Sequence, residues 1–159
     1  MSNTPSREWP DLAGRIEGRR HILPVRVYFE DTDFSGFVYH ANYLRWCERG
    51  RSDLLRLLGI HHSDLHAPGE GGIPAAFVVR RLEVDYLLPA RIDELLEVIT
   101  ECLHVGGAHI QLAQQVCRDG DALCKLKAKV VLVGQTGRPT RLPRVIAELF
   151  RQSSSGGEG

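Results

Sequence analysis

Apolar and polar residues alternate with a period of two over most of the chain from Phe77 to Leu132, as in strands with one buried face. Short turn-like sequences separate four such segments, among them LLPARI and the Asp119-Gly120 step. Asp-Gly is a strong hairpin signal, so we expect neighbouring strands to pair antiparallel. The residues that share one face are Leu82, Val84, Tyr86, Leu96, Val98, Cys102, Ile110, Leu112, Val116, Cys124, Leu126, Ala128, Val130 and Leu132.

A further strand and one long helix are predicted before this region. The strand covers residues 22–29 and places three apolar side chains on one face: Val25, Val27 and Phe29. Residues 41–58 follow a period of 3.6, and Gly59 is the expected stop. Near the end of the chain, Pro143 followed by RVIAELF predicts a short closing helix.

These elements predict an α+β domain in which one long helix is wrapped by a five-stranded antiparallel sheet. A single helix with one apolar face buries that face by lying across the sheet. We assign residues 1–18 to a flexible N-terminal extension, 19–151 to the domain and 152–159 to a disordered tail. Because an open sheet has two edges that must be covered or paired, we expect a homodimer or tetramer.

Composition and charge narrow the function classes. Of 159 residues, 43% are hydrophobic and 25% charged, and no apolar run approaches the length that a bilayer-spanning helix requires. With 20 basic and 20 acidic residues, no net field favours nucleic acid. The N-terminus lacks the apolar core of a secretion signal, so we expect a cytoplasmic protein. The four cysteines form no CxxC pair and are expected to be buried, reduced thiols.

The stretch EDTDFSGFVYHANY gathers acids, a glycine and a histidine between the first strand and the helix. The first-turn amides of a helix lack intrahelical partners and carry partial positive charge, so they can polarise a carbonyl oxygen. Asp33 beside them could attack that carbonyl or deprotonate a water that attacks it. The alternative is that Asp33 caps the helix, which is worth about 1 kcal/mol.

A resemblance favours the catalytic interpretation. The segment VRVYFEDTDFSGFVYHANYLRWCERGR, together with FVVRRLEVDYLLPARIDELLEV and RLPRVI, resembles the hotdog-fold acyl-CoA thioesterases of the 4-hydroxybenzoyl-CoA thioesterase family, and within it the Tol-Pal-associated YbgC type. The likeness covers roughly residues 22–150. It implies the same fold as the periodicity, hydrolysis of an acyl-CoA with short acyl chains favoured, and no metal or other cofactor.

Residue roles follow from the resemblance. Asp33 is the implied catalytic carboxylate, and the backbone N–H of His40 is expected to contact the thioester oxygen. The His40 ring could orient water or assist the leaving thiolate, or be inert. Gly36 is expected to adopt unusual backbone angles. Gly36, Val38 and Tyr39 are candidate substrate-binding residues, Gly36 through a close approach of its backbone. Tyr39 and Tyr43 could be walls of an acyl pocket or core residues, and core is favoured for Tyr43.

Other residues leave alternatives open. Arg80 and Arg81 are adjacent on a strand, so we expect opposite faces, with one holding a coenzyme A phosphate or pairing with a nearby acid. Lys125, Lys127 and Lys129 are interpreted as a solvated face that also protects an edge, or as phosphate contacts. Glu48 is an alternative base, although a solvated surface position is favoured.

Two further patterns carry less weight. His62 and His66 are four residues apart, yet no third ligand is apparent, so we expect no metal site. The glycines at 69–72 lack nucleotide-loop spacing and predict a loop beside the pocket. The rival function is a non-catalytic module that binds acyl-CoA or acyl carrier protein.

Overall fold

Six antiparallel strands form one sheet in the computed structural model, which describes residues 12–66 and 72–153. The strands are β1 (Arg15–Glu17), β2 (Arg20–Arg26), β3 (Ala75–Tyr86), β4 (Leu95–Val105), β5 (His109–Arg118) and β6 (Asp121–Gly134), in the order β1-β2-β4-β5-β6-β3. The helices are α1 (His40–Leu57), α2 (His62–His66) and α3 (Arg144–Gln152). The α+β prediction is confirmed, but the sheet has six strands instead of five. The additional strand, β1, lies within the predicted N-terminal extension.

Helix α1 lies across one face of the sheet, as its apolar stripe predicts. Its buried residues are Asn42, Tyr43, Trp46, Cys47, Gly50, Leu54 and Leu55. At Gly50 the helix approaches the sheet so closely that a Cβ atom would lie 3.0 Å from the Val98 side chain and 3.2 Å from Thr100 Oγ1. Gly59, at φ +82°, ends the helix as predicted. The close approach at Gly50 fixes the position of the helix, and therefore of its N-terminus, relative to the sheet.

Strand β2, which the sequence pattern predicts over residues 22–29, ends earlier than predicted. It ends at Arg26, and Phe29–Asp31 forms a 3-10 turn. Phe29 is consequently 82% exposed and does not share the buried face with Val25 and Val27. The turn redirects the chain so that Asp31, and not Phe29, points inward.

The segment between β3 and β4 is a crossover, and not the hairpin that the turn-like sequence predicts. Strand β3 pairs with β6, whereas β4 pairs with β2 and β5. The crossover therefore runs over the end of the sheet, where the Leu87 amide donates to the Leu123 carbonyl (2.8 Å) and the Ala90 carbonyl accepts from the Val38 amide (2.9 Å). It reaches the start of α1 in this way.

The lysine-bearing strand β6 lies between β5 and β3, so its lysines do not protect an edge. Lys125, Lys127 and Lys129 project from the sheet face away from α1, because Leu126 and Ala128 between them are buried. The edges are instead β1 and β3. Strand β3 is mostly exposed along its 12 residues.

The remaining predictions concern thiols, histidines and the glycine loop. All four cysteines are buried and unbridged, as predicted, and burial raises the pKa of Cys47 to about 12. His62 and His66 lie on the short helix α2; within residues 12–66 and 72–153 no cluster of three or more metal-ligating side chains is present. No helix in the part of the chain that is described has the length and hydropathy to cross a membrane. Most of the predicted glycine loop, residues 69–71, lies outside the described residues.

Candidate active site

The loop between Thr32 and Val38 is a tight turn that returns the chain to its starting point. Thr32 and Val38 form an isolated antiparallel bridge, and the Asp33 amide donates to the Phe37 carbonyl at 3.0 Å. Gly36 closes the turn at φ +84°, and a Cβ atom added there would meet nothing within 4 Å. Backbone conformation, and not lack of space, therefore selects glycine here. The turn carries Asp33 next to the beginning of α1.

Asp31 has a structural role. Its carboxylate is buried and accepts hydrogen bonds from the Tyr28 amide (2.8 Å) and the Asn42 side chain (2.7 Å). Its carbonyl accepts from the Tyr39 amide at 2.9 Å. Because both carboxylate oxygens are engaged, Asp31 joins the strand end to the first turn of α1 and is unsuited to attack a substrate.

Asp33 differs in that its side chain is exposed and half satisfied. One oxygen, Oδ1, accepts from the Ser35 amide at 2.8 Å and from the Ser35 hydroxyl. Within the described residues, Oδ2 has no hydrogen-bond donor. The two bonds from Ser35, the hydroxyl first, hold the pKa of Asp33 below its usual value, and a weaker electrostatic interaction with His40 acts in the same direction. Asp33 is thus an ionised carboxylate with one oxygen available to a ligand.

The start of α1 has no side-chain cap. Its N-cap residue is Tyr39, which is extended (φ −63°, ψ 134°) and makes no capping hydrogen bond through its side chain. The alternative that Asp33 caps the helix is therefore not what the structure shows. Among the described residues, the amides of His40 and Ala41 have no acceptor, so this end of the helix presents two donors and a partial positive charge.

Aromatic rings surround these amides. The His40 ring lies 4.5 Å from that of Tyr39 and 6.0 Å from that of Tyr86, and both histidine and Tyr39 are exposed. The Tyr86 hydroxyl donates to the His40 carbonyl at 3.0 Å. His40 is therefore held by its backbone and by ring contacts, with its imidazole open to solvent.

The crossover between β3 and β4 packs against this end of the helix. The Tyr43 hydroxyl accepts from the Ala90 amide at 3.1 Å, and the Tyr43 ring lies 5.8 Å from Tyr86. Val38 is buried in the core, and its amide bonds to the Ala90 carbonyl. Arg91 stacks over Phe37 at 4.6 Å from the ring centroid. Tyr43 is core, as favoured from the sequence, and Val38 supports the site through packing.

Arg80 and Arg81 share a face, contrary to the expectation of opposite faces. A β-bulge between Val79 and Arg81 adds one residue to β3, which breaks the alternation. Both arginines line a cavity of about 550 Å³ on the face away from α1, together with Lys127 and Lys129. Arg81 also pairs with Glu83 at 2.8 Å.

Cations of this cavity also act on His109 nearby. Burial lowers the pKa of His109, and electrostatic interactions with Lys129, His104 and Arg80 lower it further. Because a cluster of cations disfavours another positive charge, the same field favours an anion.

Glu48 is exposed on α1, as favoured from the sequence. It lies eight residues beyond His40, which corresponds to about 12 Å along the helix axis. It borders a small cavity of about 80 Å³ beside Arg51 and Phe77. Glu48 is therefore too far along the helix to act at the same centre as Asp33 within one chain.

Sequence reasoning missed two members of the site. The sequence pattern indicates only a turn at Ser35, although an Asp-x-Ser spacing allows the serine to donate back to the carboxylate. For Tyr86, the sequence pattern predicts only a position on the inner face of its strand. No local signal connects Tyr86 with His40, because they lie 46 residues apart and meet only through the pairing of β3 with β6.

Comparisons with known proteins identify the family of the chain. Residues 35–125 match the family model of the thioesterase superfamily (4HBT), a segment that contains His40 and begins just after Asp33. The "Acyl-CoA thioesterase YbgC" of Haemophilus influenzae is 40% identical over 130 residues, which is 80% of this chain and 92% of that protein. The protein of the same description from Helicobacter pylori is 33% identical over 136 residues, or 82% of this chain and 96% of the relative.

Among solved structures, a probable thioesterase from Bartonella henselae is 41% identical, with a TM-score of 0.74 over 78% of this chain and 99% of that one. The sequence resemblance and the fold therefore point the same way. The chain belongs to the thioesterase superfamily and, within it, to the YbgC type that it matches over most of its length.

Proposed function

We propose that the protein hydrolyses acyl-CoA thioesters to a free acid and coenzyme A. The observation that carries the proposal is the juxtaposition of an ionised, half-satisfied Asp33 with the uncapped first turn of α1. The thioester oxygen accepts from the amides of His40 and Ala41, which polarises the carbonyl and stabilises the oxyanion that develops. Asp33 Oδ2, which accepts no hydrogen bond from the described residues, is the oxygen that acts at the carbonyl carbon.

The reaction needs one water and no redox step. With Asp33 as general base, its carboxylate takes a proton from water while the water oxygen bonds to the carbonyl carbon. Collapse of the tetrahedral intermediate breaks the carbon–sulfur bond, coenzyme A leaves as its thiolate, and the proton held by Asp33 passes to that thiolate. With Asp33 as nucleophile, its carboxylate displaces the coenzyme A thiolate to form an anhydride, and water then cleaves the anhydride to the free acid and regenerates Asp33.

Isotopic label found in Asp33 would identify the nucleophilic route. In a single turnover in H₂¹⁸O with enzyme in excess, attack of water on the acyl carbon of an anhydride or on the thioester places the label in the acid product. Attack of water on the Asp33 carbonyl places it in Asp33, which mass spectrometry of the peptide detects. Repeated turnovers would label Asp33 only if it is the nucleophile.

The cationic cavity of Arg80, Arg81, Lys127 and Lys129 supports a site for the phosphates of coenzyme A. Guanidinium and ammonium groups suit phosphate, and Glu83 is the one acidic residue that borders this cavity among the described residues. Replacing both arginines by glutamine should raise KM for an acyl-CoA about tenfold or more, while KM for the matching acyl-pantetheine, which lacks the nucleotide, stays unchanged. An equal effect on both substrates would contradict this assignment.

Strand β3 supports a homodimer. It is an edge strand of 12 residues with Val78 and Val79 exposed to 41% and 44%, and such an edge pairs readily with a second copy. Introducing lysine at both valines should give a monomer in analytical ultracentrifugation. A variant that keeps the wild-type mass would place any oligomer contact elsewhere.

The decisive experiment is release of free thiol from a panel of acyl-CoAs, with short chains first, as the resemblance favours. Wild-type protein should release coenzyme A, and Asp33→Asn should release almost none while still binding the substrate. Glu48→Gln is the matched control for the alternative base and should turn over normally. Binding without thiol release by the wild type would favour the module that binds acyl-CoA or acyl carrier protein.

A further inference from the structure

Tyr86 holds the peptide that supplies one of the two donors in the proposed site. Its hydroxyl donates to the carbonyl of His40 at 3.0 Å. That carbonyl belongs to the same peptide unit as the amide of Ala41. A hydrogen bond to the oxygen of a peptide draws electron density away from its N–H and makes that N–H a stronger donor.

The phenol is well placed for this task. Its ring is oriented by edge contacts with His40 (6.0 Å) and Tyr43 (5.8 Å), so the hydroxyl has little freedom to turn away. Tyr43 is itself buried and bonded to the Ala90 amide. Burial raises the pKa of Tyr86, which keeps the hydroxyl protonated, and therefore a donor, at neutral pH.

We infer that Tyr86 is a positioning residue: by donating to the His40 carbonyl, it fixes and polarises the peptide whose Ala41 amide contacts the thioester oxygen. This inference rests on the proposed function. Tyr86 touches the helix and not the reacting atoms, so its effect should appear when negative charge develops on the oxygen. It should therefore lower kcat and leave substrate binding nearly unchanged.

Tyr86→Phe tests the inference, because phenylalanine keeps both ring contacts and removes only the hydroxyl. We expect kcat to fall roughly three- to tenfold, the effect of losing one hydrogen bond, with KM within about twofold. Tyr28→Phe is the matched control, since Tyr28 is 63% exposed on the loop before the site. It should leave both constants unchanged.

Amide resonances provide a readout that loss of packing would not mimic. In ¹⁵N-labelled substrate-free protein, the Ala41 amide signal should move to higher field in Tyr86→Phe and stay in place in Tyr28→Phe. Replacing Tyr86 by 3-fluorotyrosine, whose hydroxyl is a stronger donor, should move the signal and kcat in the opposite direction. The fluorinated protein also keeps the test available should Tyr86→Phe fold poorly.

Two results would overturn the inference. One is a change in KM with kcat constant, which would make the hydroxyl a substrate contact. The other is an Ala41 amide resonance whose chemical shift changes neither in Tyr86→Phe nor in the protein with 3-fluorotyrosine at position 86. If wild-type protein hydrolyses no thioester, the proposed function fails, yet the resonance still reports whether Tyr86 polarises the peptide, so the two failures are distinguishable.

Discussion

An aspartate lies near each end of α1, Asp33 before the helix and Asp53 within its last part. The two differ in exposure and in hydrogen bonding. Asp33, before the start of the helix, is exposed, and only its Oδ1 is bonded, to Ser35. Asp53, near the helix end, has a side chain that is 10% exposed, and both its oxygens are bonded. Oδ2 accepts from the Gly14 amide (2.8 Å) and lies 2.6 Å from His21 Nε2, while Oδ1 pairs with Arg56 at 2.9 Å.

This contrast separates a carboxylate that builds the fold from one that can act on a ligand. Asp53 joins the residue before β1, strand β2 and helix α1, and its two oxygens are engaged by three partners. Asp33 is ionised, and its Oδ2 accepts no hydrogen bond from the described residues. An acid that is largely buried, with both oxygens hydrogen-bonded, has no oxygen free to contact a substrate. An exposed acid that is held through one oxygen is oriented, and its other oxygen stays free.

Asp33→Asn should cause the largest change of all, a loss of activity without a loss of stability. Loss of a positioned general base typically costs about 10²–10⁴-fold in rate, and an exposed side chain contributes little to packing. We therefore expect a collapse of kcat with an unfolding midpoint in urea equal to that of the wild type. Glu30→Gln, at an exposed acid of the same loop, is the control; a comparable loss of kcat there would show that the loop charge, and not Asp33, matters.

Asp53→Ala should do the reverse. It leaves His21 buried without its carboxylate partner and removes the acceptor for Gly14 and Arg56, so the free energy of unfolding should fall by about 3 kcal/mol. The kcat of the protein that remains folded should change less than about twofold, since Asp53 lies far along α1 from His40. Urea unfolding and active-site titration measure the two quantities; a stability equal to wild type would refute the assigned role.

Acid pH should weaken the Asp53 end. Burial raises the pKa of Asp53, but the bonds from His21, Arg56 and Gly14 outweigh it, and the folded-state pKa lies below the ordinary value. The stabilisation is therefore fully present above the unfolded pKa of about 3.9 and is lost as pH falls through the folded value. The difference in unfolding free energy between wild type and Asp53→Asn should shrink over this range, and a difference that grows toward acid pH would contradict it.

Ser35→Ala should produce the smallest effect. Without the Ser35 hydroxyl the pKa of Asp33 rises toward its ordinary value, so more of the carboxylate is protonated at acid pH. The acid limb of the kcat/KM profile should move to higher pH, while the rate at neutral pH stays within about twofold. Ser63→Ala, on α2, is the control. An unmoved acid limb would mean that Asp33 does not set it.

Much of the fold follows from local patterns. The period-two segments predict β3 to β6, the period of 3.6 predicts α1 to within one residue at each end, and Pro143 predicts α3. These patterns are reliable because one buried face repeats along each element. Where a strand lies at an edge the pattern persists, but burial does not follow: Leu82 and Tyr86 are 37% and 47% exposed on β3.

The candidate site is predictable in part. Asp33, Gly36 and the helix start at His40 are neighbours in sequence, so the turn that joins them is a local property. Arg80 and Arg81 illustrate the limit, since a β-bulge depends on the register with β6 and reverses the expected facing. The contact of Tyr86 with His40 likewise depends on three-dimensional placement, whereas the donation from Ser35 to Asp33 spans only two residues.

The sequence by itself determined the helix, the strands, the turn that carries Asp33 and the resemblance to the thioesterases, because each depends on residues close together in the chain. The tertiary structure alone decided that the segment after β3 crosses over to the helix start, that both arginines face one cavity and that Tyr86 reaches the His40 carbonyl. The physical reason is the strand order. Pairing β3 with β6 is a long-range choice made by burial of the whole sheet face, and no short window of sequence contains it.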